Sequence, residues 1–158
     1  MSFKITIKDK GLKKILKNLS DKYVTTVGIH QIDNDSYQGE DGERKQITYA
    51  QIGHIHEFGL GNNPVRPWLS QGINATKKEL ITHAIWAGEQ ILLGEMKIKK
   101  ASLQLGEIAE GGIKSEMARS PSPYKANSTA TEERKGSNQP LIDTGGFRSR
   151  IKSQVNKL

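Results

Sequence analysis

The sequence predicts a small α+β domain: an antiparallel or mixed β-sheet packed against two or three helices, with two long loops. Three observations predict it. Apolar and polar residues alternate near both ends of the chain, as in strands with one wet face. Between residues 76 and 115 apolar side chains recur at threes and fours, the spacing of helix faces. Two further stretches, 31–46 and 120–140, are polar, turn-rich and without period. The whole chain, residues 1–158, fits a single domain of ordinary size. A domain of that size buries a core without covalent staples.

The elements follow in order. Phe3, Ile5 and Ile7 alternate with Lys4, Thr6 and Lys8 and predict a first strand. Leu12, Ile15, Leu16 and Leu19 form one apolar helix stripe, with Asp9 placed to cap it and Gly11 weakening its start. Tyr23, Thr25, Val27 and Ile29 predict a second strand, so the opening reads β-α-β. Residues 31–46 are expected to be an exposed loop, and residues 47–58 a short helix ending near Gly59. Gly59 to Pro64 is turn chemistry, and Pro67 starts a new element. Residues 76–93 predict the firmest helix, with Leu80, Ile81, Ala84, Ile85, Gly88, Ile91 and Leu92 toward the core. Ile98, Ala101, Leu105, Ile108, Gly112 and Ser115 form the seam of another helix, with a break expected after Gly94. Gly106, Gly111 and Gly112 weaken that helix, yet small residues on a seam also let another backbone approach. Residues 120–140 are expected to be the second long loop. Asp143 or Thr144 caps a short turn, and Ile151, Ser153 and Val155 predict the last strand.

Composition excludes several function classes. The chain has no Cys, which removes disulfides, thiolate zinc sites and cysteine nucleophiles and is compatible with a reducing cytoplasm. The start of the sequence lacks the apolar core of a secretory leader, and no run approaches the roughly 18 apolar residues of a membrane span. The net charge is +7, which permits contact with nucleic acid or an acidic protein surface. The cations are scattered among Asp and Glu rather than clustered, so the excess also reads as plain solubility.

Two motifs invite a chemical reading. Leu141-Ile142-Asp143-Thr144-Gly145 looks like an aspartic protease loop, but such enzymes pair two carboxylates in an all-β body. Only residues 146–158 follow, so Asp143 and Gly145 are expected to shape a turn. His54, His56 and Glu57 resemble a metal cluster, yet on a helix the two imidazoles point about 200° apart and no third ligand is evident. Glu57 is instead expected to pair with a cation such as Arg66. No P-loop, dinucleotide fingerprint or Ser-His-Asp order occurs. The reading is therefore a non-enzyme with no catalytic, cofactor or metal site.

The run Ala50-Gln51-Ile52-Gly53-His54-Ile55-His56-Glu57-Phe58-Gly59, followed by Pro64-Val65-Arg66-Pro67-Trp68-Leu69, resembles a block of the lambda minor tail protein Z family. These are the tail-completion or head–tail joining proteins of long-tailed phages. A helical region, a Ser/Thr-rich segment with Arg134-Lys135-Gly136-Ser137, and Pro140-Leu141-Ile142-Asp143-Thr144-Gly145 follow in the family's order. The resemblance spans nearly the whole chain. Trp68 stands where Phe is usual, Gln139 where Lys is frequent, and Gly146-Phe147 where a polar residue and Leu are common.

The resemblance implies a structural protein of the virion neck, assembled in the host cytoplasm as a homo-oligomeric ring, typically a homo-hexamer. It implies as partners a tail terminator or tail tube protein on one side and head connector or portal-side proteins on the other. Genomic DNA would pass through the lumen, with no membrane involved. The marked residues are His56, Glu57, Phe58, Gly59, Arg66, Pro67, Trp68, Pro140, Leu141, Asp143, Thr144 and Gly145. Pro64 and Pro67 stiffen the backbone around Arg66, which is expected to pair with Glu57 or with a carboxylate of the next subunit. Phe58 and Trp68 are expected as core anchors or, alternatively, as interface hot spots, and Asp143 to Gly145 as the exit from the second loop. The alternative class is a small basic nucleic-acid-binding protein, for which no helix-turn-helix, zinc or aromatic–basic motif speaks.

Overall fold

The computed structural model describes residues 10–38, 44–119 and 122–158. Among them the order is α1 (Lys10–Ser20), β1 (Tyr23–Gly28), a 3-10 turn (Gln31–Asp33), β2 (Ser36–Gln38), β3 (Arg44–Thr48), α2 (Tyr49–Phe58), α3 (Trp68–Leu92), α4 (Ile98–Met117), α5 (Thr129–Lys135), α6 (Gly146–Ser149) and β4 (Lys152–Lys157). This is a small, helix-rich α+β domain. Among the described residues the strands form two antiparallel pairs: β1 with β4, from Tyr23↔Lys157 to Gly28↔Lys152, and β2 with β3. The strand predicted at residues 3–8 and the cap at Asp9 lie outside the described residues.

The long antiparallel pair α3–α4 is the frame. Its turn ends on Gly94, whose φ of 74° is open to glycine, so the break falls where the sequence placed it. Glycines bring the two helices together. A Cβ at Gly72 would lie 2.7 Å from the Ile113 Cα, and one at Gly112 would collide with the Thr76 side chain. On its other side α4 rests on β1 and β4, where a Cβ at Gly106 would lie 2.9 Å from the Ser153 Cβ. The Glu110 carboxylate accepts from the Ser153 amide at 2.7 Å, tying α4 to β4.

Being covered on two sides explains why the buried line of α4 departs from the predicted seam. Ala101, Gly106, Ala109, Ile113, Glu116 and Met117 are buried, a line turned by one residue from Leu105, Ile108, Gly112 and Ser115. The correction to α3 is larger. Its buried residues are Trp68, Gly72, Thr76, Ala87 and Ile91; of the predicted stripe Ile91 is buried, whereas Ile81 at 52%, Ile85 at 61% and Leu92 at 59% exposure face outward. Helical spacing identifies an apolar face but not what covers it. The α1 stripe of Leu12, Leu16 and Leu19 is likewise exposed.

The main core joins Tyr49, Trp68, Ile113, Met117, Tyr124, Leu141, Phe147 and Ile151. A smaller cluster of Ala87, Ile91, Met96 and Ala101 closes the α3–α4 turn.

Neither long loop is structureless, which corrects both expectations. Residues 31–46 contain the 3-10 turn, β2 and most of β3. Polar contacts distant in sequence hold them: Asn34 Oδ1 accepts from the Ala50 amide at 2.9 Å, and Arg150 grips both Asp35 oxygens while stacking over the Tyr49 ring. Residues 122–140 contain α5 and bury Tyr124 and Pro140.

Candidate functional site

Helix α2 begins with a reciprocal cap. Thr48 Oγ1 accepts from the Gln51 amide at 3.3 Å, and Gln51 Oε1 accepts from the Thr48 amide at 2.8 Å. It ends on Gly59 at φ 67°, where a Cβ would press on Val65 at 2.6 Å. The chain turns there because only glycine tolerates both the left-handed backbone and the close approach. The turn returns residues 64–67 past the end of α2, and the Arg66 amide donates to the His56 carbonyl at 2.7 Å.

This geometry decides what Glu57 and Arg66 do, and it is not the expected pairing with each other. Glu57 caps α3. Its carboxylate accepts from the Leu69 amide at 2.9 Å, the Ser70 amide at 3.2 Å and the Ser70 hydroxyl at 2.6 Å. An anion at those unpaired amides is favoured by the helix dipole. Arg66, only 6% exposed, donates from Nε to the Lys125 carbonyl at 2.7 Å and from Nη2 to the Ala126 carbonyl at 2.8 Å and Asn127 Oδ1 at 3.2 Å. A guanidinium from the first motif block thus pins residues 125–127 in place.

The other marked residues sort by position. Trp68 is a core anchor, its Nε1 donating to the Gly53 carbonyl at 2.8 Å and its ring meeting Phe147 edge-on at 5.0 Å. Pro67 is the N-cap residue of α3. Phe58 is not in the core: it is 60% exposed and lies against the His54 ring. Pro140 is fully buried, and Leu141 is buried at φ 63°, the one non-glycine with positive φ among the described residues. Such a backbone costs about 1–2 kcal/mol, which the surrounding core must hold in place. Asp143 does not cap α6. Thr144 Oγ1 accepts from the Gly146 amide at 3.4 Å, and Gly145, at φ 82°, is the N-cap residue.

Between these blocks lies a cleft of about 980 Å³. His56, Ile52 and Arg66 line it from the first block, Leu141, Asp143 and Phe147 from the second, and Lys125, Asn127, Arg134 and Lys135 from the segment between. Burial, then the charges of Arg66 and Lys135, push the His56 imidazole down to about 4, so it is neutral at ordinary pH. Its Nδ1 and the Asn127 Nδ2 are buried with no hydrogen-bond partner among the described residues. Behind the cleft, Tyr124 is pushed up to about 12 by burial and by the nearby Glu116 and Glu57. Among the described residues the cleft is lined by Arg66, Lys125, Arg134 and Lys135, by one carboxylate, Asp143, and by apolar walls. No group of three His, Cys, Asp or Glu among the described residues is arranged to hold a metal ion. No helix among them is long and apolar enough to cross a membrane.

Sequence reasoning missed Gly53, Asn127 and Phe147. A Cβ at Gly53 would lie 3.0 Å from the Trp68 ring and 3.1 Å from the Phe147 ring. A glycine within a helix carrying marked residues was the available signal; Asn127 offered none.

Neither the protein-family models, nor the curated proteins, nor the solved structures yield a match to this chain.

Proposed function

We propose that this chain is a structural subunit of a phage neck, assembling as a homo-oligomeric ring that completes the tail end and joins it to the head connector. The single observation that carries the assembly is the apolar face of α3, where Ile81, Ile85 and Leu92 lie along one side of a rigid helix in open solvent. Contiguous apolar surface of this kind marks a protein-interaction site. The neck assignment rests on the resemblance of the two motif blocks to the tail protein Z family. Their roles in the fold support it, since Gly59, Arg66, Trp68 and Leu141 each hold a turn, a segment or the core. A ring subunit needs such a rigid frame with faces left to its neighbours, and heterologous contacts that close by rotation supply the ring.

Mass photometry on the purified protein, with electron microscopy of particles from a phage lacking the gene, tests the proposal. The expected result is one closed oligomer in solution, the protein present in complete virions, and unjoined heads and tails without it. A protein that stays monomeric at all concentrations, or is absent from virions, overturns it. The basic excess is expected to give weak duplex-DNA binding without sequence preference, falling steeply with salt, as a conduit requires.

A further inference from the structure

The helix pair α3–α4 carries a long groove on the side of α4 turned away from the strands. Gly106 faces β1 and β4 through Thr25 and Ser153, whereas Ile108, Gly111 and Ser115 stand about 140–200° around the helix from it. Together with Ala75 and Thr76 of α3 they line a groove of about 840 Å³. Its floor is short side chains and glycine, and a Cβ at Gly111 would meet nothing within 4 Å, so another backbone has room to come close. The rim is acidic. Glu79 on α3 and Glu107 on α4 are exposed, and neither pairs with a cation among the described residues. The third carboxylate of the groove, Glu116, is already held by Arg119 at 3.2 Å and adds no free charge. Two packed helices with an open groove between them take a third, amphipathic helix.

The chain carries a helix of matching chemistry. In α1, Leu12, Ile15, Leu16 and Leu19 follow the i, i+3, i+4, i+7 spacing by which a helix anchors in a groove. Leu16 is 56% and Leu19 47% exposed. The charges of α1 are opposite to those of the rim: it holds Lys10, Lys13, Lys14 and Lys17 and no Asp or Glu, and Lys13 and Lys17 are exposed. The lengths agree as well. The 11 residues of α1 span about 16 Å, and the groove runs along α4 from Gln104 to Arg119, about 22 Å. In its own chain α1 runs through Asp21 and Lys22 into β1, on the opposite side of α4, and no described residue of α1 lines the groove. We propose that α1 of one copy docks in the α3–α4 groove of the next, with its leucines on the floor beside Ala75 and Ile108 and its lysines against Glu79 and Glu107. The inference rests on the ring reading and deepens it by naming two complementary surfaces. Groove against groove would set carboxylate on carboxylate, and α1 against α1 lysine on lysine, so charge selects the unlike pair. Unlike patches make a head-to-tail contact, which propagates around a ring.

Charge reversal on the full chain tests it. One variant carries Glu79→Lys with Glu107→Lys, the other Lys13→Glu with Lys17→Glu; all four positions are exposed. Circular dichroism checks that each is folded, and mass photometry reads assembly at about 0.15 M salt, where exposed charges are only partly screened. Each variant alone is expected to weaken assembly by about tenfold or more in dissociation constant. Mixing the two in equal amounts is expected to restore association, because each reversed groove then meets a reversed helix and each native groove a native one. Two variants that assemble like the parent overturn the proposal. Rescue only when both sets are placed in one chain, and never on mixing, puts α1 in its own subunit's groove and also overturns it. An α1 reversal that abolishes binding to phosphatidylglycerol vesicles with assembly intact makes α1 a membrane-surface helix instead. A parent protein that stays monomeric removes the ring reading and this contact with it, an outcome told apart from the others because it needs no variant.

Discussion

Acidification should weaken this fold through one histidine before the carboxylates titrate. His56 faces the cleft from α2, its imidazole lowered from 6.5 to about 4 by burial and by the Arg66 and Lys135 charges. The unfolded chain binds a proton at His56 near the ordinary value, while the folded chain refuses it until about 4. Above the unfolded value both states are neutral and the residue contributes nothing to pH dependence. Below it the unfolded state binds more protons, so stability falls as pH falls. The difference amounts to about 2 kcal/mol at about pH 5 and about 3 kcal/mol at about pH 4. Urea unfolding of the parent and of His56→Gln, compared at neutral pH and about pH 5, isolates it, because the glutamine cannot titrate. The parent should lose about 2 kcal/mol more than the variant over that interval. Equal losses in both proteins would refute the assignment and place the acid sensitivity elsewhere.

Three further outcomes follow from particular contacts. Gly72→Ala should destabilise by about 1–3 kcal/mol although alanine favours helix, because its Cβ meets the Ile113 backbone, whereas Gly111→Ala, with open space around it, should stabilise by up to about 1 kcal/mol; opposite signs in urea unfolding check this. Glu57→Ala should cost about 1–2 kcal/mol by leaving the Leu69 and Ser70 amides uncapped, and a shift of under a few tenths in thermal unfolding would contradict the capping role. Arg66→Lys keeps the charge but loses the fork, so hydrogen exchange should rise at residues 125–128 while β1 and β4 stay protected; unchanged exchange there would show that the segment is held by something else.

Much of this fold was legible in local chemistry. Alternation marked β1 and β4, and helical spacing with Gly59 and Gly94 bounded α2, α3 and α4. These signals are short-range: period, capping and glycine at positive φ act within a few residues. The glycines of α4 were legible too, as small residues inviting a close neighbour, though not which neighbour each admits. What local chemistry cannot specify is which of several apolar faces is covered. Ile81, Ile85 and Leu92 looked like core and are exposed, while Gly72, Thr76 and Ala87 are buried, because α3 meets α4 along its small residues.

The same division runs through the candidate site. Sequence by itself determined the residue types: a stiffened Arg66, a neighbouring His56 and Glu57, and a turn at residues 140–145. Tertiary structure decided their partners. Glu57 lies one turn-and-return from α3 and finds free amides there, so it caps rather than pairs. Arg66 faces carbonyls at residues 125 and 126, nearly sixty positions away, and so orders a segment that looked like loop. A hydrogen-bond partner that distant leaves no period in the sequence, because it is set by how helices pack and not by how any of them begins. The cleft is the product of that packing: its cations come from the return turn after α2 and from the segment running through α5, and only the folded chain brings them to one wall.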